Sequence, residues 1–238
     1  YDKTGETDMV NAVYSALYAL QHRGQESCGI ALNVDGVLSG YRDLGLVSEV
    51  FTKRVLEELP RGAKMATGHV RYATAGQRSR SNAQPMVLHH CKGAMAVCHN
   101  GNLVNAPKLR RKLEMSGSIF HGTSDTEVIA YAIARQRLEC KSIEEAVLKA
   151  TRQLVGAFSL IVMSGEKLIA ARDPWGFRPL CMGRMKDGAV VEQGDCREIF
   201  EHLLAGKYIF AEEFGRSFGR GRNFYGFLLE SFAYNFKS

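Results

Sequence analysis

An α+β fold is predicted by the order in which two hydrophobic periodicities occur along the chain. Short β-type runs broken by glycines occupy residues 28–99, helical spacing and helix-start signals occupy 107–150, and β-type runs return from 157. Strands, then helices, then strands indicate helices packed on a sheet or sheets, not alternating βαβ units. The composition allows a substantial core: 238 residues, 45% hydrophobic and 24% charged, is ordinary globular usage. That length suits one large domain, or one domain with an appendage.

The elements follow in order. Asp8 can cap a helix whose apolar positions Met9, Val13, Ala16, Leu17 and Leu20 recur at three- and four-residue spacing and stop before Gly24. Strand-like runs at 28–33, 37–41, 65–70, 86–91 and 93–99 predict antiparallel sheet. Pro107 opens a helix through Leu113. Ser124-Asp125-Thr126-Glu127 reads as a capping box ahead of Val128, Ile129, Ala132 and Ile133, and Ser142-Ile143-Glu144-Glu145 repeats the signal. Runs at 157–163, 168–172 and 179–183 are β-like again, and Trp175 between them reads as a packed turn residue. Past about Gly188 the texture changes: residues 207–238 hold ten of the 22 aromatics, mixed with Gly-Arg pairs, and keep neither period.

Composition also excludes classes of function. A net charge of +6 could suit an anionic substrate but falls far short of a nucleic-acid-binding surface. No apolar stretch is long enough to cross a bilayer. Six scattered cysteines fit a reducing compartment, with the cytoplasm as the default. The chain starts Tyr1-Asp2-Lys3 without an initiator Met, so a stretch ahead of Tyr1 is expected in the parent protein.

Three polar constellations stand at strand ends or a helix start. In Gly68-His69-Val70-Arg71-Tyr72-Ala73-Thr74-Ala75-Gly76, Arg71 leaves a strand and can offer its planar fork to a carboxylate. In His99-Asn100-Gly101-Asn102-Leu103, the Asn100 amide and the closely approachable Gly101 N–H supply two donors for a developing oxyanion. Asp125, in the first turn after Ser124, can meet an ammonium. Taken singly, Arg71 reads equally as a surface ion pair, Asn100-Gly101 as a turn and Asp125 as a helix-dipole residue. Together they could hold both charged ends of an amino acid and polarise a carbonyl.

The literal strings narrow the reading. Leu20-Gln21-His22-Arg23-Gly24-Gln25-Glu26-Ser27, the 68–76 segment, His99-Asn100-Gly101-Asn102-Leu103-Val104-Asn105, Ser124-Asp125-Thr126-Glu127-Val128 and Arg172-Asp173-Pro174-Trp175-Gly176-Phe177-Arg178-Pro179-Leu180 occur in this order. Across residues 7–188 they closely resemble the glutaminase domain of the glutamine phosphoribosylpyrophosphate amidotransferases (amidophosphoribosyltransferases). Sister class-II glutaminases are similar in outline but differ in the first three strings, typically carrying Trp at the position of Tyr72.

The resemblance implies a four-layer αββα sandwich of the N-terminal-nucleophile hydrolase type. It also implies hydrolysis of glutamine to glutamate and ammonia by a cysteine at the first position, whose own α-amino group can act as base because its pKa lies near 8. In that scheme Arg71 binds the glutamine α-carboxylate, Asp125 the α-ammonium, and Asn100 with Gly101 forms the oxyanion hole. Tyr72, Thr74 and Arg23 line or gate the pocket.

The implied partners are glutamine and a phosphoribosyltransferase domain that accepts the ammonia for purine synthesis, in a homo-oligomer. No cofactor or metal is expected in this region. In relatives, Mg2+ and in some cases an iron–sulfur cluster belong to the other domain.

Three departures accompany the match. Tyr1 stands first instead of a cysteine, so the chain as written is expected to lack turnover; the alternatives are a truncated or diverged non-catalytic relative that binds glutamine, glutamate or other chains, and the glutaminase domain of a sister amidotransferase. Cys28-Gly29-Ile30 copies the expected start but is internal, and reads as a buried strand thiol. Residues 1–188 thus read as a glutaminase domain short of its first few residues, 189–238 as an unassigned tail, and the phosphoribosyltransferase domain as absent.

Two decoys read more simply. His89-His90-Cys91 with Cys98-His99 suggests zinc, but a Lys92-Gly93 turn would pair Cys91 with Ala94 and leave the thiols roughly 13 Å apart. Lys108, Arg110, Arg111 and Lys112 read as a solvated helix face.

Overall fold

Asp8 begins the first helix as expected: its carboxylate accepts the Asn11 amide, and α1 (Met9–Ala19) turns Met9, Val10 and Leu17 inward. A 3₁₀ turn at Gln21–Arg23 leads from it into the first strand. The structure, a computed structural model, describes residues 1–2, 4–72, 78–185, 190–193 and 208–213, with side chains as far as Leu180.

Strands β1 (Ser27–Val34), β2 (Val37–Leu44) and β3 (Met65–Arg71) form an antiparallel sheet in the order β2-β1-β3. Two short helices, α2 (Val47–Val50) and α3 (Lys53–Glu58), join β2 to β3. They were not anticipated, because one turn carries too few residues for a helical period to show. Strands β4 (Met86–His90), β5 (Gly93–Leu103), β6 (Gly156–Ser164) and β7 (Leu168–Arg172) make a second antiparallel sheet in sequence order. Between β5 and β6 run α4 (Ala106–Glu114), α5 (Asp125–Glu139) and α6 (Ile143–Thr151). β8 (Cys181–Met185) pairs antiparallel with β9 (Val190–Gln193) and β10 (Tyr208–Glu213). Two segments of the unassigned tail are therefore strands, and the rest of it lies outside the described residues.

The two larger sheets stack face to face. Ala31, Leu38 and Met65 of the first meet Ala96, Met163 and Leu168 of the second in one apolar layer. On the outer side of the first sheet, Val10 and Leu17 of α1 cover Ile30 and Leu32. On the outer side of the second, Ile129 and Ile133 of α5 and Val147 of α6 cover Val97, Phe158, Leu160 and Val162. The result is the expected αββα sandwich. β1 lies between two covered faces, which explains why it is buried from Ser27 to Asn33 and reads as a continuous apolar run.

Several expectations need correction. Ser124 precedes α5 but makes no capping bond; the Glu127 carboxylate instead accepts the amides of His121 and Gly122, upstream of the helix. Ser142 does cap, accepting the Glu145 amide. In the β4–β5 hairpin His90 pairs with Gly93, so the two-residue turn is Cys91-Lys92, one residue earlier than expected. Cys91 is exposed at that turn while Cys98 is buried between the sheets. Among the described residues no cluster of three or more His, Cys, Asp or Glu side chains is arranged to hold a metal ion. Trp175 is a turn residue but 75% exposed, not packed. Lys108, Arg111 and Lys112 are exposed on α4, whereas Arg110 is half-buried over the Phe120 ring. No helix of the described residues is long and apolar enough to cross a membrane.

Candidate active site

Strand alternation decides which side chains meet. Along β3 the residues Met65, Thr67, His69 and Arg71 are buried and turn toward the second sheet. Along β5, Ala96, Cys98 and Asn100 turn back toward them. Thr67 Oγ1 lies 3.2 Å from Cys98 Sγ. Two residues further on, His69 Nε2 lies 2.9 Å from Asn100 Oδ1. At the end of β3, Arg71 is buried and its guanidinium pairs with the buried Glu26 carboxylate. Glu26 immediately precedes β1 and also donates its amide to the Arg71 carbonyl at 3.0 Å. Gly24 lets this turn press against β3: a Cβ there would stand 2.7 Å from the Arg71 backbone nitrogen.

The other face of β5 points to the helices. His99 Nδ1 lies 3.3 Å from Asp125 Oδ1, and the Leu103 amide donates to Asp125 Oδ2 at 3.1 Å. The His99 amide donates to Gln84 Oε1 at 2.7 Å, and Gln84 Nε2 donates to Thr126 Oγ1 at 3.0 Å. Asp125 is thus tied to β5 on both carboxylate oxygens. Gly101 follows Asn100 with φ +145°, where a Cβ would stand 2.0 Å from the Ala157 carbonyl oxygen, so only glycine fits.

Burial and bonding set the charge states. Burial pushes the His69 pKa down to about 4, against the opposing pull of the Asn100 bond, so the ring is neutral at pH 7. Burial alone would raise Asp125, but the His99 contact and the Leu103 amide outweigh it and hold the carboxyl below its usual range. Burial raises both Cys28 and Cys98 to about 12, so neither is a thiolate nucleophile at neutral pH. Cys28 is the buried strand thiol that was expected.

Arg71, Asn100–Gly101 and the Asp125 carboxylate therefore gather at one end of the sandwich, with His69 bonded to Asn100 and His99 to Asp125. The sequence profile of the glutamine amidotransferase domain family matches residues 69–193, just over half of the chain. The chain belongs to this family.

Related proteins agree with that assignment. The amidotransferase chain is 43% identical over 189 residues to the amidophosphoribosyltransferase of Methanocaldococcus jannaschii, covering 79% of this chain and 40% of that one. It is 47% identical over 188 residues to amidophosphoribosyltransferase 2, chloroplastic, of Arabidopsis thaliana, covering 79% of this chain and 33% of that one. The glutamine phosphoribosylpyrophosphate amidotransferase of B. subtilis, solved with ADP and GMP, superposes with a TM-score of 0.75 at 35% identity, covering 87% of this chain and 43% of that one. The chain thus spans about two-fifths or less of the length of these relatives.

Of the residues the amidotransferase sequence singled out, Arg71, Asn100, Gly101 and Asp125 are brought to the same end. Arg23, in the 3₁₀ turn, and Tyr72, after β3, are both exposed beside the Arg71 strand end. Thr74 lies outside the described residues. A separate cleft of about 390 Å³, lined by Gly40, Tyr41, Arg42, Arg80 and Ser81, contains none of them. Glu26, His69, His99, Gln84 and Thr126 were not singled out as site residues. All but Gln84 stand inside the quoted strings, but their partners are distant in sequence, so only the tertiary pairing reveals their work.

Proposed function

We propose that this chain is the glutamine-hydrolysing part of an amidophosphoribosyltransferase, releasing ammonia for transfer to a phosphoribosyl acceptor in purine biosynthesis. The observation that carries the reading is the convergence of Arg71, Asn100–Gly101 and Asp125 at one end of the sandwich. The named relatives support the choice of acceptor.

In this reading Arg71 takes the α-carboxylate of glutamine through charge-assisted hydrogen bonds, with Glu26 fixing the guanidinium plane. Asp125 takes the α-ammonium. Asn100 Nδ2 and the Gly101 amide receive the oxyanion as the side-chain amide is attacked, each donor worth about 3–4 kcal/mol of barrier. The thiol nucleophile is placed ahead of Tyr1. The Asp2 amide bonds to the Lys64 carbonyl at 2.9 Å, which puts the start of the chain beside Met65, at the opposite end of β3 from Arg71. Six strand residues span about 20 Å, and β3 is an edge of its sheet among the described residues. An extended stretch of about six residues ahead of Tyr1, antiparallel to β3, would bring its first residue to Arg71 and Asn100.

The test uses the full-length protein with its native N-terminus. Glutamine should be converted to glutamate, and an electrophilic glutamine analogue should label an N-terminal cysteine and abolish that activity. A folded full-length protein that releases no glutamate, or one labelled elsewhere without loss of activity, would remove the proposal.

A further inference from the structure

We infer that His69 is a positioning residue for amide hydrolysis: from the opposite sheet it grips the Asn100 carboxamide by its oxygen and so turns the –NH2 toward the substrate. The inference rests on the glutaminase reading above.

A carboxamide has two ends of nearly equal shape and opposite polarity. Asn100 is exposed near the end of β5, where nothing in its own strand chooses between those ends. Turned one way it offers two N–H donors to a developing oxyanion, and turned the other way it opposes that charge with a carbonyl oxygen. His69 makes the choice. Its Nε2 lies 2.9 Å from Asn100 Oδ1, and a ring nitrogen bonded to a carboxamide oxygen must be the one that carries hydrogen. The nearby charged or titratable groups, His99 on the far face of β5 and Arg71 on its own strand, both disfavour a second proton. The neutral Nε2–H form is therefore the one that suits the Asn100 oxygen, and it leaves Nδ1 buried without a hydrogen-bond partner among the described residues.

His69 is well placed for this and poorly placed for anything closer to the chemistry. It is buried between the sheets, so it acts through Asn100 and does not reach substrate. It stands two residues before Arg71 on the same rigid strand. One strand thus supplies the group that recognises the α-carboxylate and the group that orients the oxyanion donor, which fixes the distance between the two functions.

The experiment compares His69→Leu and His69→Gln in the full-length enzyme, measuring glutamate release at varied glutamine. Leucine removes the donor, whereas glutamine restores an N–H near the position of Nε2. The expected result for H69L is a fall in kcat of about 10–100-fold, the range typical of lost supporting contacts, with KM changed less than about threefold. An aldehyde analogue of glutamate, whose thiol adduct carries the oxyanion, should weaken by about the same factor as kcat. H69Q should recover kcat to within about fivefold of wild type.

An undiminished kcat in H69L, a KM that rises as much as kcat falls, or an H69Q as impaired as H69L would overturn the inference. Should H69L fail to fold, His69→Asn takes its place, since its shorter amide cannot reach Asn100. H69Q must then exceed H69N in kcat by about tenfold, and equality overturns the inference. Absence of glutamate release in the wild type would instead defeat the parent reading.

Discussion

Arg71 and Glu26 show how much of the site is an internal pairing made before any substrate arrives. Both are buried, and removing one member of a buried pair leaves an uncompensated charge at a cost of about 3–5 kcal/mol. Arg71→Ala should therefore lower the denaturation midpoint sharply. Arg71→Ala combined with Glu26→Ala should regain much of the stability without regaining glutamine affinity. Denaturant titration beside glutamine binding separates the two effects, and a double variant no more stable than R71A would contradict the pairing.

His69 makes a second residue-scale prediction, this time through pH. Its folded pKa is about 4, against about 6.5 unfolded. Between those values the unfolded chain takes up a proton that the folded one refuses. The stabilisation is complete above about pH 6.5 and fades as pH falls toward 4, by about 1.4 kcal/mol per unit and about 3 kcal/mol in all. H69Q should flatten the stability profile in that window. Asp125, whose folded pKa is depressed, loses its contribution only at lower pH, as protons reach it below its usual range. An unchanged slope in H69Q between pH 6.5 and 4 would show that His69 is not buried neutral.

At the scale of elements, two segments with the same sequence signature behave differently. Ser124 and Ser142 each stand at a helix start with Glu three residues on. Only the Ser142 hydroxyl accepts a helix amide; the Ser124 hydroxyl is buried with no hydrogen-bond partner among the described residues. Ser142→Ala should cost about 1 kcal/mol, while Ser124→Ala should be neutral or slightly stabilising. Thermal melts of the two variants decide, and equal losses would refute the distinction. The strings reveal that a helix begins but not which upstream loop its first turn must hold. At α5 the loop carrying His121 and Gly122 captures Glu127, and that competition comes from tertiary structure. The strands were legible because alternation survives wherever one face is buried. The β4–β5 turn slipped by one residue because glycine is favoured at a turn centre, whereas Gly93, at φ +113°, follows the turn and pairs with His90, and the partner strand β6 helps fix the register.

For the molecule as a whole, the proposed chemistry depends on two sheets keeping one relative position, since Arg71 and His69 come from one and Asn100 from the other. Asn33 ties them at the far end. Its Nδ2 donates to the Ser164 and Gly165 carbonyls at 2.8 and 3.0 Å, while its Oδ1 accepts the Gly36 amide. Asn33→Ala should cost about 2–3 kcal/mol, from about 1 kcal/mol per bond, measured by denaturant titration; a cost below about 0.5 kcal/mol would contradict the bridging role. The four corners Arg71, Asn100, Gly101 and Asp125 were readable as residue types suited to an amino acid. That they converge on one mouth was expected as well; the links His69 to Asn100 and His99 to Asp125 were not legible, because they join residues 31 and 26 positions apart. The most direct test of that shared mouth is the kinetic division between Asn100→Ala and Arg71→Ala in the full-length enzyme, followed as glutamate release over a range of glutamine concentrations. N100A should lose about 10²–10³ in kcat with KM little changed, and R71A should raise KM by about 10–100-fold. Wild-type release of glutamate with both variants unimpaired would contradict the account.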